Sequence, residues 1–374
     1  MNSHTLFQAR DISVQIEKGA DAKVLSLLHE TVWGTPGGIR YQKITSTESE
    51  EYFKDSWFLK LWKGDQLLGV AGMVHRRYLI EGFPLNTFYL RSFSFHPKYQ
   101  VQLNPNTKNK KTKANNLLLK KIISRFFAEE SYFQEQFPGE AILFYGYVIG
   151  NNERSARMSQ DFGFQPFRNF RTLLFSRRNP KKPNNLKLLP YPSLENKPEL
   201  LSHIQKQYQN HPFFRLDTDQ NLQDLWVLYE GNQPVAGLKA RKVGWQIREL
   251  PGLSGKIMMN ILPKVPVLSR LFNPDAFYFL AIDSLFYVSD YEKMLTPLLE
   301  SVCEKFQVNI AMMWLDEESE ICHTINQNVT LGLLNALSRN TDLIHVIGKF
   351  INTPENVQQK VIQNPVYVQM DEVT

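Results

Sequence analysis

Apolar and polar residues alternate or recur along the chain in a way that predicts a mixed α/β fold. Ile142 to Ile149, ILFYGYVI, is apolar, aromatic and β-branched without a charge, the pattern of a strand buried on both faces. Gly150 ends it and Asn152 suits a helix N-cap. Ser155, Met158 and Phe162 then share one helical face up to Gly163, which suits a helix stop. Upstream, Ile12 to Glu17 alternates as a half-buried strand, and Asp21 to Val32 repeats apolar residues at helical spacing. Gly34 to Gly38, GTPGG, is a loop. Trp57 to Trp62 and Leu67 to Leu79 read as strands joined by the hairpin turn KGDQ, and Tyr89 to Phe95, YLRSFSF, as another. A helix is predicted over Leu117 to Ala128 and a closing strand over Phe170 to Ser176.

Residues 176–198 concentrate Pro, Asn and Lys with little periodicity, the composition of a linker. The second half then repeats the plan. A helix follows Pro198, strands Leu225 to Tyr229 and Val235 to Trp245 form a hairpin, and Phe277 to Ile282 is a strand. Met294 to Phe306 is a helix, Val308 to Leu315 a buried strand and Leu331 to Leu337 a short helix. Leu343 to Ile347 and Val366 to Met370 form a last strand pair. The expected organisation is a domain over 1–178, a linker over 179–198 and a second domain over 199–374, as suits 374 residues, of which 43% are hydrophobic.

A net charge of +6 suits nucleic acid, an anionic membrane or a phosphorylated cofactor, and a Lys cluster at Lys108, Lys110, Lys111 and Lys113 makes the cofactor the favoured partner, with no nucleic acid expected. Two Cys and an N-terminus without the apolar core of a signal peptide make a reducing cytoplasm the expected location. No apolar run of about 18 uncharged residues predicts a transmembrane span. The eight His show no paired ligand spacing, so no metal site is expected. One segment stands apart. Leu253 to Phe272 is apolar, Met-rich and broken by Pro263 and Pro266, with Lys256, Lys264 and Arg270 interspersed. It suits a lid over an apolar substrate, a membrane-surface patch or helical packing between the domains.

The order Asn152, Ser155, Met158, Ser159, Gly163, Phe164 resembles the second cofactor motif of the GNAT superfamily of N-acyltransferases. There a strand-terminal Asn is followed by a small residue, an apolar residue, a Tyr and Gly-Phe. Phe95 to Gln100, FHPKYQ, is similar to that family's lead-in to its pyrophosphate loop. The resemblance implies two tandem GNAT-like folds, the second without cofactor motifs. Such pairs also occur in N-myristoyltransferases and Fem-type peptidyltransferases, whose specific motifs this chain lacks.

The resemblance further implies acetyl-CoA as co-substrate and a small-molecule or peptide amine as acceptor. Asn152 and Ser155 would contact the cofactor, and backbone amides around Phe93 to Phe95 would face the oxyanion. Gln100 begins the phosphate loop, but the glycines of that loop are missing from VQLNPNTKNKKTKANN. Lys108, Lys110, Lys111 and Lys113 would replace them as point charges, with amides from Thr112 to Asn116, among them Ala114 and Asn115. Ser159 stands where the family often carries the Tyr that protonates the leaving thiolate, and a Ser hydroxyl is far less acidic. Tyr145 and Tyr147, two apart on one strand face, are the alternative acids. His75 and Glu81 are candidate bases. Two readings stay open: an N-acyltransferase, and a GNAT-derived binding or regulatory protein without catalysis.

Overall fold

A computed structural model describes residues 3–34, 37–44, 53, 55–96, 123–127, 132–194, 197–215, 222–266, 268–338 and 343–374. Its elements begin with β1 (His4–Ala9), β2 (Ile12–Lys18), α1 (Ala22–Glu30), β3 (Arg40–Lys43), β4 (Ser56–Lys63), β5 (Gln66–Ile80), β6 (Phe83–Phe95), α2 (Tyr132–Gln136), β7 (Ile142–Ile149), α3 (Glu153–Asp161) and β8 (Gln165–Ser176). They continue with β9 (Leu186–Pro190), α4 (Lys197–Gln207), β10 (Leu225–Glu230), β11 (Gln233–Glu249), α5 (Gly252–Asn260) and β12 (Phe277–Tyr287). The chain closes with α6 (Leu295–Lys305), β13 (Ile310–Asp316), α7 (Glu320–Asn328), α8 (Leu333–Ser338), β14 (Ile344–Ile351), α9 (Glu355–Gln363) and α10 (Met370–Val373).

Two compact units divide the chain, and neither is contiguous. The first comprises Met1–Thr31, Glu48–Phe167 and Ile344–Ile362; the second comprises Val32–Thr47, Arg168–Leu343 and Gln363–Thr374. These units cut the chain differently from the composition. Residues 168–178 belong to the second unit, and the Pro- and Lys-rich stretch 179–198 contains β9, which pairs with β10. Sequence spacing sees which face of a strand is buried, whereas the neighbour it pairs with is a tertiary choice.

In the first unit the strand order is β1-β2-β4-β5-β6-β7-β14. One sheet face carries Ile16, Met73, Phe88, Phe144 and Ile347, which pack with Phe126, Phe127, Phe133, Phe162 and Phe164 into an aromatic core. Asp21 caps α1 by accepting from Val24 N–H at 2.8 Å, so Val24, Leu27 and Leu28 are buried along one stripe. The wholly buried Lys60 on β4 bonds Glu17 at 2.5 Å and Asp21 at 2.7 Å, joining β2, β4 and that cap in one charged cluster. Removing either acid alone would leave a buried ammonium short of a partner.

In the second unit the order is β9-β10-β11-β12-β13-β8, with β3 added on β11. Chain order and spatial order thus repeat: β2, α1, β4, β5, β6, β7 and α3 in one, β9, α4, β10, β11, β12, β13 and α7 in the other. In each unit the last strand of this order comes from the opposite half of the sequence, β14 on β7 and β8 on β13. The local readings hold for most elements, with two corrections. Residues 366–370 make one bridge, Leu315 to Tyr367, rather than a strand. The helices α7 and α9, not expected from the sequence, carry too few apolar residues to stand out from polar loops. The segment 253–272 contains the helix α5, in keeping with the helical alternative for it.

Candidate active site

In the first unit β6 and β7 run parallel but pair only from Asn86 with Ile142 to Tyr89 with Tyr145. Gly146 still lies against Leu90, where an added Cβ would meet its carbonyl oxygen at 3.4 Å. Beyond this point each strand follows its outer neighbour, β6 on β5 to Phe95 and β7 on β14 to Ile149, and the two part company. β6 is also bulged. Val70 pairs with Ser94 and Gly72 with Arg91, so β6 has one extra residue, and Ser92 sits at φ 58. The extra residue returns Ser94 to the face of Tyr89 and Arg91, and removes Ser92 and Phe93 from the register of β5.

Ser94 is held there from the other side. Its hydroxyl bonds Thr31 Oγ1, and Thr31 donates to Leu27 O at 2.6 Å, tying the end of α1 to the bulge. Tyr89, Tyr145 and Tyr147 form a cluster on this face, with ring centroids 5.2 Å (Tyr89 to Tyr145), 4.9 Å (Tyr89 to Tyr147) and 6.1 Å (Tyr145 to Tyr147) apart. Tyr145 is fully buried, whereas Tyr147, nearer the parting strand ends, is half-buried. Thr31 and Tyr89 escape a motif search because one caps a helix and the other reads as strand packing.

α3 starts as the sequence predicts. Asn152 Oδ1 accepts from Ser155 N–H at 3.1 Å, and Gly163 at φ 84 lets Phe164 N–H reach Ser159 O at 3.0 Å, a Schellman stop. Lys349 donates to Phe162 O at 3.0 Å, placing a cation at the negative end of the helix. The expected apolar face is only partly formed: no residue within α3 is buried and Met158 is 46% exposed, while Phe162 packs in the core just beyond it. The Ser159 hydroxyl donates to Ser155 O at 2.8 Å, so its proton is committed to the helix backbone.

Of the other expected contacts, Phe93 is 53% exposed beside the bulge, and the Phe95 ring lies over Gly69, where a Cβ would meet it at 2.5 Å. Gln100, Lys108, Lys110, Lys111, Lys113, Ala114 and Asn115 lie outside the described residues. His75 pairs across from Phe88 and stacks on it at 4.8 Å, on the face opposite Tyr89. It bonds Asn86 Oδ1 at 3.0 Å, and burial lowers its pKa. Glu81 is in a turn, paired with Lys360 at 2.7 Å. Neither faces the parting strands. Burial pushes the thiols of Cys303 and Cys322 up to about 12 and about 11, so both stay protonated and poorly nucleophilic.

The second unit repeats the geometry. β12 and β13 pair in parallel only from Leu280 with Ala311 to Ile282 with Met313, and β12 is bulged at Ser284, φ 49, between the pairs Lys239–Asp283 and Gly237–Phe286. Here the chain's own end enters. Ser284 N–H donates to Tyr367 OH at 3.1 Å, the two hydroxyls bond at 2.7 Å, and Tyr208 OH donates to Leu285 O at 2.6 Å. Val366 N–H and Met370 N–H donate to Asp316 at 2.9 Å and Asp283 at 3.0 Å. Asp316 is itself buried and gripped by both Nε and Nη2 of Arg168. What remains is a cavity of about 20 Å³, beside which His211 is held neutral, its pKa lowered to about 4 by burial.

No family model matches the sequence, and no curated protein matches it. Among solved structures, Saccharomyces cerevisiae N-myristoyltransferase with bound myristoyl-CoA is similar, with a TM-score of 0.50 at 7% identity over 93% of this chain and 84% of that one. This chain therefore shares the fold of that enzyme. GCN5-related N-acetyltransferases from Sphaerobacter thermophilus (TM-score 0.42, 10% identity, 80% of this chain and 81% of that one) and Anabaena variabilis (TM-score 0.44, 10% identity, 91% and 73%) also match. The tandem GNAT-like arrangement expected from the sequence agrees with the repeated element order of the two units.

Proposed function

We propose that the protein is an N-acyltransferase that moves an acyl group, acetyl in the simplest case, from coenzyme A to an amine at the first unit. The observation that carries this reading is the parting of β6 and β7 beside a bulge at Ser92. Strands that separate while each stays paired outward leave room for an extended chain to be bound by main-chain groups, as in strand addition. The bulge removes Phe93 from the β5 ladder, so its amide is the natural donor to a developing oxyanion. Tyr147 is the acid for the departing thiolate, since it is nearer the strand ends than Tyr145 and Ser159 is bonded to its own helix. Asn152 and Ser155, at the start of α3, are further contacts to the donor. Gln100, Lys110, Lys111 and Lys113, with the Ala114 and Asn115 amides, remain part of the proposal as phosphate contacts.

The acceptor is an amine of a small molecule or peptide. With no carboxylate or imidazole turned to the parting strands among the residues named, its deprotonation runs through water. The test is release of free thiol from acetyl-CoA and from longer acyl-CoAs, myristoyl-CoA included, against a panel of amines, amino acids and peptides. Release above buffer with any donor supports acyl transfer, and the donor preferred sets the chain length. A thermal shift with acetyl-CoA but no thiol release would favour the second reading, a binding protein, which the committed Ser159 proton also suits.

A further inference from the structure

α5 is a short apolar helix that leaves part of its apolar surface outside. Leu253, Ile257 and Ile261 fall four apart, so they share one stripe, and that stripe faces outward: Leu253 is 76% and Ile261 52% exposed. Only Gly255 is buried within the helix. The reason is steric. A Cβ at Gly255 would come within 2.6 Å of the Leu250 carbonyl, so glycine lets this side of α5, with the half-buried Met258 and Met259, approach the backbone that precedes it, and Leu253, Ile257 and Ile261 fall on the other side. Past Ile261, Leu262 turns inward and Val265 is again 37% exposed.

The charges around this stripe are of one sign. Lys256, Lys264 and Arg270 are all exposed, and no Asp or Glu occurs between Glu249 and Asp275. The polar side chains between them turn back on their own backbone: Asn260 donates to Lys256 O at 2.9 Å and Ser269 to Pro266 O at 3.0 Å. Exposed aliphatic residues in a segment whose charged side chains are all cations fit an anionic apolar interface.

We propose that α5 and the turn after it, residues 252–266, dock this protein on the surface of an anionic lipid bilayer. Leu253, Ile257, Ile261 and Val265 enter the boundary between headgroups and acyl chains, and Lys256, Lys264 and Arg270 meet the lipid phosphates. The association is peripheral, because among the described residues no helix is long and apolar enough to cross a membrane. It goes beyond the acyltransfer reading and does not depend on it.

The test is co-sedimentation of the full chain with vesicles of phosphatidylcholine and phosphatidylserine in equal parts, beside vesicles of phosphatidylcholine alone. Binding to the first, weaker on the second and falling with salt, is expected. Lys256→Gln with Lys264→Gln should weaken it by roughly 25-fold, at about fivefold for each basic group near an anionic surface. Leu253→Ser with Ile261→Ser should weaken it by about tenfold or more. Both residues are exposed, so the circular dichroism and melting temperature of that variant should match the parent and exclude misfolding. Three results would overturn the proposal: no sedimentation of the parent with anionic vesicles, binding untouched by both double variants, or self-association abolished by the Leu253 and Ile261 changes without vesicle binding, which would make a second copy the occupant.

Discussion

The two bulged strands of this protein, β6 at Ser92 and β12 at Ser284, are built alike and finished differently. In both, one extra residue breaks the ladder with the antiparallel neighbour, and in both the parallel neighbour departs within three residues of the bulge. At Ser284 the chain's own Tyr367 takes the amide that the bulge releases, with Tyr208 bonded to the next carbonyl. On the first unit's bulged strand, Ser94 beyond the bulge bonds Thr31, and Tyr89 before it packs with Tyr145 and Tyr147. The same backbone device thus serves as a structural joint in one unit and is proposed as a donor site in the other. A released main-chain donor must be satisfied by something, and the identity of its partner decides which role it has.

The largest effect should come from undoing the joint. Tyr367→Ala removes a buried ring that packs edge-on against Tyr208 and Phe214, and strands the Ser284 amide. A loss of about 3–5 kcal/mol is expected. Hydrogen exchange should rise in β12 and β13 while donor affinity is kept; a fall in donor affinity instead would mean that the two sites are not separable in this way.

His211 gives the comparison a pH signature. Its pKa in the folded protein, about 4, lies below the ordinary 6.5, because burial disfavours the charged ring. Below 6.5 the unfolded chain takes up a proton that the folded one refuses. Stability from this group is therefore complete above 6.5 and declines as pH falls to about 4, by about 3 kcal/mol in all. Denaturant midpoints measured across that window should slope less in His211→Gln. An unchanged slope would assign the acid sensitivity to other groups, His75 among them, whose pKa is also lowered by burial.

Next in size is Tyr147→Phe, which should cut thiol release by about a hundredfold, or about 2.7 kcal/mol, with donor affinity nearly intact, since the ring still fills its place. Undiminished turnover would remove its role as the acid. The smallest effect belongs to Ser159→Ala. Its proton already serves Ser155 O, so turnover should change by less than about twofold and stability by about 0.5 kcal/mol or less. A tenfold fall in turnover would return this position to the catalytic set.

Much of the candidate site was legible along the chain where the signals are local. Asn152 caps α3 and Gly163 ends it because a capping oxygen and a positive φ are properties of a few adjacent residues. β7 was bounded to the residue by its uncharged run. The bulge at Ser92 was not, since Arg-Ser-Phe-Ser alternates well enough to pass for regular strand, and Thr31 met Ser94 across 63 positions. The Leu253 to Phe272 segment announced its apolar and basic character, but only the close approach of Gly255 to Leu250 decided which side faced out.

By itself the sequence determined most of the repeated order of strands and helices, without β9 and α7, because periods of two and 3.6 residues record how much of each element is buried. It also determined the cap and the stop that frame α3. Tertiary structure alone decided that β14 pairs with β7 and β8 with β13, that β3 joins β11, and that Tyr367 fills the second bulge. The physical reason is that a strand's pattern specifies a buried face without specifying a partner. Pairing goes to whichever segment the rest of the fold delivers to an open edge with its amides still unsatisfied.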